Sequence, residues 1–231
     1  MIKNYDDFVR ELLKAGFSMA GGSDEGVFGL IRHSWNEEPP PGSPIRWHTE
    51  DPETDPWEWR MRVLDKRNDI AYGKFFFKKG GYITKEWYPY FLAARRGSRT
   101  FGDEYTDGKI SYFAKRIYDT VTENGVLPLH EIKRLAGFGR EDKSQFDRTL
   151  TELQMKMFLT MCGKQQKITQ KGEEYGWPTT MFCTVESFFG EGVFGKAASI
   201  SAAEAAEKIT EQVYKLNPLA KQKKIEKFIM G

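Results

Sequence analysis

The chain has 231 residues, of which 39% are apolar and 14% aromatic, and its formal charge is +2. This is enough apolar material for one large folding unit or two small ones, and it excludes a disordered chain. Cys162 and Cys183, with no CxxC pair and only three histidines in the chain, exclude a disulfide framework and a zinc ligand set and fit a reducing cytoplasm.

The first residues, MIKNYDDFVRELLKAGF, alternate charged and apolar residues at helical spacing, unlike a signal peptide. No run approaches the roughly 20 apolar residues of a membrane span, so no membrane partner is expected. Asn4 can cap a first helix, with Asp6 and Asp7 in its first turn and Phe8, Leu12 and Leu13 as its apolar stripe up to Gly16. VFGLIRHSW (27–35) is expected as a strand, and NEEPPPGSP (36–44) and TEDPETDP (49–56) as proline-broken loops.

TDPWEWRMR (54–62) admits two local structures. Asp55, Pro56 and Glu58 form a capping-box signature for a helix. Against it, Trp57, Trp59, Met61 and Val63 share one parity while Glu58, Arg60 and Arg62 share the other, and DIAYGKFFF follows after DKRN, as in a hairpin. The hairpin is preferred, with the tryptophans in the core and the arginines outside. Exposed aromatics would instead stack a base beside Arg60, Arg62 and Lys74. A KKGG turn then leads to a third short strand at Tyr82-Ile83, Thr84 starts a helix interrupted near Pro89, and residues 97–108 are expected as a linker.

Charge is unevenly distributed along the chain. Residues 1–56 hold 5 Lys/Arg against 11 Asp/Glu, whereas residues 60–99 hold 11 against 3. A basic, aromatic-rich segment suits phosphate neutralisation with base stacking, or a solvated face.

From residue 109 the apolar positions Ile110, Phe113, Ile117 and Val121 keep helical spacing up to Gly125. Pro128 opens a second helix with Ile132 and Leu135 inward. Asp142 can cap a third, with Phe146, Leu150, Leu153 and Met157 inward and Lys143, Ser144, Gln145, Arg148 and Thr149 outside. Residues 157–186 then supply two strands and a basic tip carrying Lys164 and Lys167. This is the order of a winged helix-turn-helix, whose third helix would enter a major groove of double-stranded DNA. Residues 109–184 carry 12 Lys/Arg against 9 Asp/Glu, so use as a protein-interaction module stays open.

The combination of DPWEWR, IAYGKFFFKKGGYITKEWYPYF, HEIKRLAGFG, TLTELQMKMFLTMCG and KITQKG resembles the AlkZ-related proteins, uncharacterised bacterial relatives of the AlkZ/YcaQ winged-helix DNA glycosylases. The resemblance implies a role in DNA repair, and the glycosylases' release of cationic purines with a QxQ or QxD pair of side chains. Gln165 and Gln166 are adjacent on the expected wing, and the catalytic pair is taken as absent. A base-excision glycosylase acting on alkylated bases remains the enzyme alternative. The only other candidates are carboxylates in the second acidic loop, Asp51, Glu53 and Asp55, which could orient water.

No Walker A, GxSxG or GxGxxG pattern and no metal-loop spacing occurs, so no cofactor or metal is expected. The pentapeptide EGVFG stands at both 25–29 and 191–195. Ser201 and Glu204 form a capping box for a C-terminal helix, and a last helix with Leu219, Ile225, Phe228 and Ile229 as its stripe should dock on the body. The expected fold class is α+β: an N-terminal domain with a small antiparallel sheet (1–100), a winged helix-turn-helix (101–186) and a C-terminal helical segment (187–231).

Overall fold

The computed structural model describes residues 1–168 and 172–231. The chain is α+β. Helix α1 (Tyr5–Ala15) leads into β1 (Phe17–Met19), an irregular stretch runs to residue 55, and α2 (Pro56–Lys66) precedes a hairpin of β2 (Ile70–Phe76) and β3 (Lys79–Thr84). Then come α3 (Tyr88–Arg95), α4 (Phe101–Thr106), α5 (Tyr112–Asn124), β4 (Leu127–Pro128), α6 (Leu129–Leu135) and α7 (Lys143–Met155). A second hairpin, β5 (Leu159–Ile168) and β6 (Glu174–Thr184), is followed by α8 (Val185–Phe189), α9 (Glu191–Ala198), α10 (Ala202–Leu216) and α11 (Gln222–Met230).

The strands form one sheet in the order β1-β3-β2-β5-β6-β4, antiparallel throughout. Among the described residues only the pair Tyr72↔Met161 joins β2 to β5 in register, and the Thr160 hydroxyl reinforces it by donating to the Tyr72 carbonyl at 3.3 Å.

Both faces of the β2–β3 hairpin are covered, which is why its strands are almost continuously apolar. Ile70, Tyr72 and Tyr82 pack towards α1 and α2. Ala71, Phe75 and Ile83 pack with α3 and with α9, α10 and α11. The last helix docks as expected: Ile225, Phe228 and Ile229 are buried, and the Phe228 ring stacks on Phe76 at 3.9 Å, although Leu219 is exposed. A separate cluster fills the space between α5, α6, α7 and the second hairpin.

Several local expectations change. Residues 56–63 are helical: Asp55 accepts from the Trp57 amide at 2.8 Å and Pro56 occupies the first turn. The period-two pattern arises because α2 is buried on more than one side, covering Trp59, Met61, Val63 and Leu64. Trp59 is fully buried, as expected, and stacks on Phe8 at 5.1 Å.

Residues 27–35 form no strand. One isolated bridge, Met19↔Gly29, ties the segment to β1, and side chains bond more of its backbone: Asn217 donates to the Val27 carbonyl at 2.7 Å, and the Leu30 amide donates to Ser18 Oγ at 2.9 Å. The hairpin turn is Phe77-Lys78, with φ of 52° and 62°, the positive values a type I′ turn requires. Gly80 and Gly81 lie in β3, where a Cβ on Gly81 would meet the Phe76 ring at 2.4 Å.

Pro89 sits in the first turn of α3 and begins that helix where an interruption was expected. The expected linker contains α4, capped reciprocally by Thr100 and Asp103. In α7, Asp142 bonds the Gly139 amide and caps no helical amide, Thr149 is buried, and Met157 is buried beyond the helix end at φ 60°. Leu135, expected inward, is 43% exposed.

Arg95 ties these pieces together. Its guanidinium donates to the carbonyls of Phe75 (2.9 Å) on β2, Met155 (2.9 Å) at the end of α7, and Phe228 (3.0 Å) and Ile229 (2.6 Å) in the last turn of α11. Helix ends leave such carbonyls without intrahelical partners and carry partial negative charge, so a cation suits them. Burial pushes the guanidinium pKa down to about 9, still charged at neutral pH, although part of the side chain reaches solvent.

Arg95→Leu keeps the bulk but leaves four carbonyls unsatisfied. Urea denaturation is expected to show a loss of about 3 kcal/mol or more. A loss below about 1 kcal/mol would mean that water satisfies those carbonyls equally well.

Candidate functional site

The β2–β3 hairpin and α7 enclose an open groove of ≈ 470 Å³, lined by Lys74, Lys78, Asp147, Arg148, Thr151 and Glu152. Two contacts hold the walls together. The Lys74 amide donates to the buried Gln154 Oε1 at 3.0 Å, and Lys74 Nζ reaches Thr151 Oγ1 at 3.5 Å. Asp147 is engaged by Lys143 Nζ at 2.9 Å. Lys74, Lys78 and Arg148 therefore stand in the groove without a carboxylate partner among the described residues, three cations from two segments about 70 residues apart.

Of the residues expected to bind nucleic acid, the structure brings Lys74 and Arg148 to this groove and sets Gln145 two positions before the groove-lining cluster of α7. Gln145 Nε2 donates to Thr149 Oγ1 at 3.0 Å, and its Oε1 accepts from Arg148. Thr149 is 1% exposed, so it supports Gln145 from beneath and cannot itself present a hydroxyl to solvent. Lys143 is exposed at the start of α7, and Lys164 is exposed on β5 opposite Thr180 of β6. The Lys167 side chain lies outside the described residues. Lys78 was not anticipated, because the turn was expected two residues further on.

Arg60 and Arg62 project from a helix, with different surroundings. Arg62 donates to the Pro52 carbonyl at 2.6 Å and to Glu53 Oε1 at 2.8 Å, and its guanidinium lies 3.7 Å from the Tyr5 ring centroid. It clamps the acidic loop to α1 and α2. Arg60 stacks on Trp57 at 3.8 Å.

The three carboxylates of that loop are held in local structure. Asp55 is buried at 1% exposure; its Oδ2 accepts from the Thr49 and Glu50 amides at 2.8 and 3.2 Å while its Oδ1 caps α2. Asp51 accepts from the Thr54 hydroxyl and the Glu53 amide, which hold its carboxyl below the usual range. Glu53 is the partner of Arg62. Gln166, on the second hairpin, donates across it to the carbonyls of Tyr175 and Gly176 at 3.3 and 2.9 Å.

The absence of a QxD triplet does not hold. Gln145, Phe146 and Asp147 spell one at the N-terminal end of α7. Phe146 is buried at 1% exposure and anchors the triplet, so the two polar side chains flank it towards solvent, with Asp147 on the rim of the groove. The sequence carried this pattern, but only Gln145 was placed on the outer face of α7 and Asp147 was not.

A family model described as AlkZ related matches residues 2–230. No curated protein and no solved structure matches the chain. Among the described residues, no helix is long and apolar enough to cross a membrane and no cluster of three or more metal-ligating side chains occurs.

Asp55 fixes both the start of α2 and the loop before it. Asp55→Ala is expected to cost about 1 to 2 kcal/mol as a lost cap and to accelerate hydrogen exchange at the Thr49 and Glu50 amides. Protection at those amides equal to the parent protein would show that the loop holds without the carboxylate.

Proposed function

We propose that this chain, which belongs to the AlkZ-related family, binds double-stranded DNA through the groove between the β2–β3 hairpin and α7. The observation that carries this reading is the convergence of Lys74 and Lys78 with Arg148 on one open groove, without carboxylate partners among the described residues, in a member of that family. Helices α5, α6 and α7 with the β5–β6 hairpin are read as a winged helix-turn-helix. In that reading α7 presents Lys143, Gln145 and Arg148 to the major groove from its N-terminal half, while Lys74 and Lys78 take the flanking phosphates and Lys164 the backbone along the wing.

A second reading is favoured by the QxD triplet. In a base-excision glycosylase, Asp147 would orient water and stabilise developing positive charge on the sugar, and Gln145 would position the substrate. Both side chains stand beside the cations that would hold the DNA.

Duplex affinity measured across salt concentrations tests the binding role. Lys74→Ala with Arg148→Ala is expected to reduce the slope of log K against log salt by about 1.8, about 0.9 for each lost phosphate contact. An unchanged slope, or no duplex binding by the parent protein, overturns the reading in favour of a protein-interaction role. For catalysis, base release from alkylated duplex should disappear in Asp147→Asn while binding persists. Binding without any release by the parent protein removes the glycosylase reading.

A further inference from the structure

Between α2, the β2–β3 hairpin and the irregular stretch before α2 lies a second cavity, of ≈ 220 Å³, whose lining includes three tryptophans, two tyrosines and His48. Its floor is the cross-strand pair Tyr72↔Tyr82, with ring centroids 4.9 Å apart. One wall is Trp57 with Arg60, three residues apart on one face of α2. The opposite wall is Trp47 and His48, and Trp35 stands at the mouth.

The chain is shaped closely around this space. Gly21, at φ 125°, passes beside Trp47, where a Cβ would meet the indole at 2.6 Å. Trp47 Nε1 donates to the His33 carbonyl at 3.1 Å, which fixes the plane of the indole. His48 is held at φ 58°, a conformation uncommon for a residue with a side chain, and the bonds from the next two amides to Asp55 maintain it. In that position its ring centroid is 5.2 Å from Trp57 and 6.3 Å from Trp35.

Two features say what the cavity would hold. First, Trp35 is 70% exposed, a large apolar ring left in water at the edge of an aromatic box, where a flat ligand would cover it. Second, among the described residues that line the cavity Arg60 alone carries a fixed charge. No carboxylate among the described residues lines the cavity. An aromatic cage for a cation would be repelled by that guanidinium, whereas an acceptor on a ligand beside it would gain a charge-assisted hydrogen bond.

We propose that this cavity binds one flat, neutral or anionic heterocycle bearing acceptor atoms, a ligand of the nucleobase class, stacked by Trp35 and Trp57 and bonded by Arg60. A free nucleoside and an unstacked nucleotide of a DNA strand share this chemistry. The DNA source rests on the DNA-binding reading above, and the geometry permits it: Tyr72 of the cavity and Lys74 of the groove are two residues apart on β2, about 7 Å along the strand. The inference also separates this site from one for a cationic alkylated purine, which Arg60 would oppose.

The full chain is titrated with thymidine, with deoxyguanosine and with N7-methylguanosine in its cationic form, followed by tryptophan fluorescence and calorimetry. Saturable binding of the neutral nucleosides is expected, with the cation about tenfold weaker. Trp35→Ala, an exposed site whose loss leaves the core intact, should weaken the neutral nucleosides about tenfold; Arg60→Gln should narrow the gap between neutral and cationic probes. Absence of saturable binding by both neutral nucleosides, equal or tighter binding of the cation, or indifference to Trp35→Ala overturns the proposal.

A duplex with one bulged 2-aminopurine distinguishes the sources. A fluorescence change that is lost in Trp35→Ala assigns the site to DNA, and nucleoside binding with an unchanged bulge assigns it to the free ligand; both support the cavity's ligand class. Duplex affinity on the same samples is read by anisotropy. Its loss removes the DNA-binding reading and leaves the cavity's nucleoside result standing, whereas duplex binding without any nucleoside or bulge response overturns the cavity alone.

Discussion

A single guanidinium decides how the major parts of this molecule meet. The end of β2, the end of α7 and the end of α11 all terminate on Arg95, and each brings carbonyl oxygens that would otherwise compete for water. Because two of the three elements are helices pointing their negative ends at the same cation, the arrangement is favourable in a way that a neutral donor could not match. The adjacent Arg96 extends it, reaching the Met157 carbonyl at 3.1 Å and Glu186 at 2.7 Å while stacking on Phe158. Lys74 lies on the strand and Arg148 on the helix that Arg95 fixes, so the spacing of the groove cations follows from a bond network outside the groove.

The irregular stretch from residue 20 to 55 is ordered by a different means. It has little ladder to follow, and its backbone is held by side chains: Ser18, Asp55 and Asn217 each bond main-chain groups there. Polar residues in such positions accept conformations that regular structure forbids, among them the left-handed backbone at His48 and Glu50. The cost falls on local strain, and the gain is a cavity wall that neither a helix nor a strand could supply.

Much of the helical content was legible because capping and spacing are local properties. Asn4 and Ser201 cap the helices they precede, and Gly16 and Gly125 close α1 and α5. The element at 56–66 was misread because alternating burial was taken as period two, although Asp55 and Pro56 stated the helix start outright. The two copies of EGVFG show the limit of local sequence: the first is a turn with Glu25 at φ 54°, the second opens α9 and buries Val193. The aromatic cavity was harder still. Its rings come from five separate stretches between residues 35 and 82, and only the folded chain reveals that Trp35 and Trp57 line one space.

The turn at Phe77 and Lys78 carries a consequence for how far this molecule has been optimised. Two residues with side chains occupy a left-handed pair of positions that Asn-Gly would adopt with less strain. Phe77 packs its ring 6.2 Å from Phe228 of the last helix, and Lys78 lines the groove. A laboratory search for a hardier version of the chain would find an easy gain at this turn, and would remove with it the ring that packs on the last helix and a cation that lines the groove.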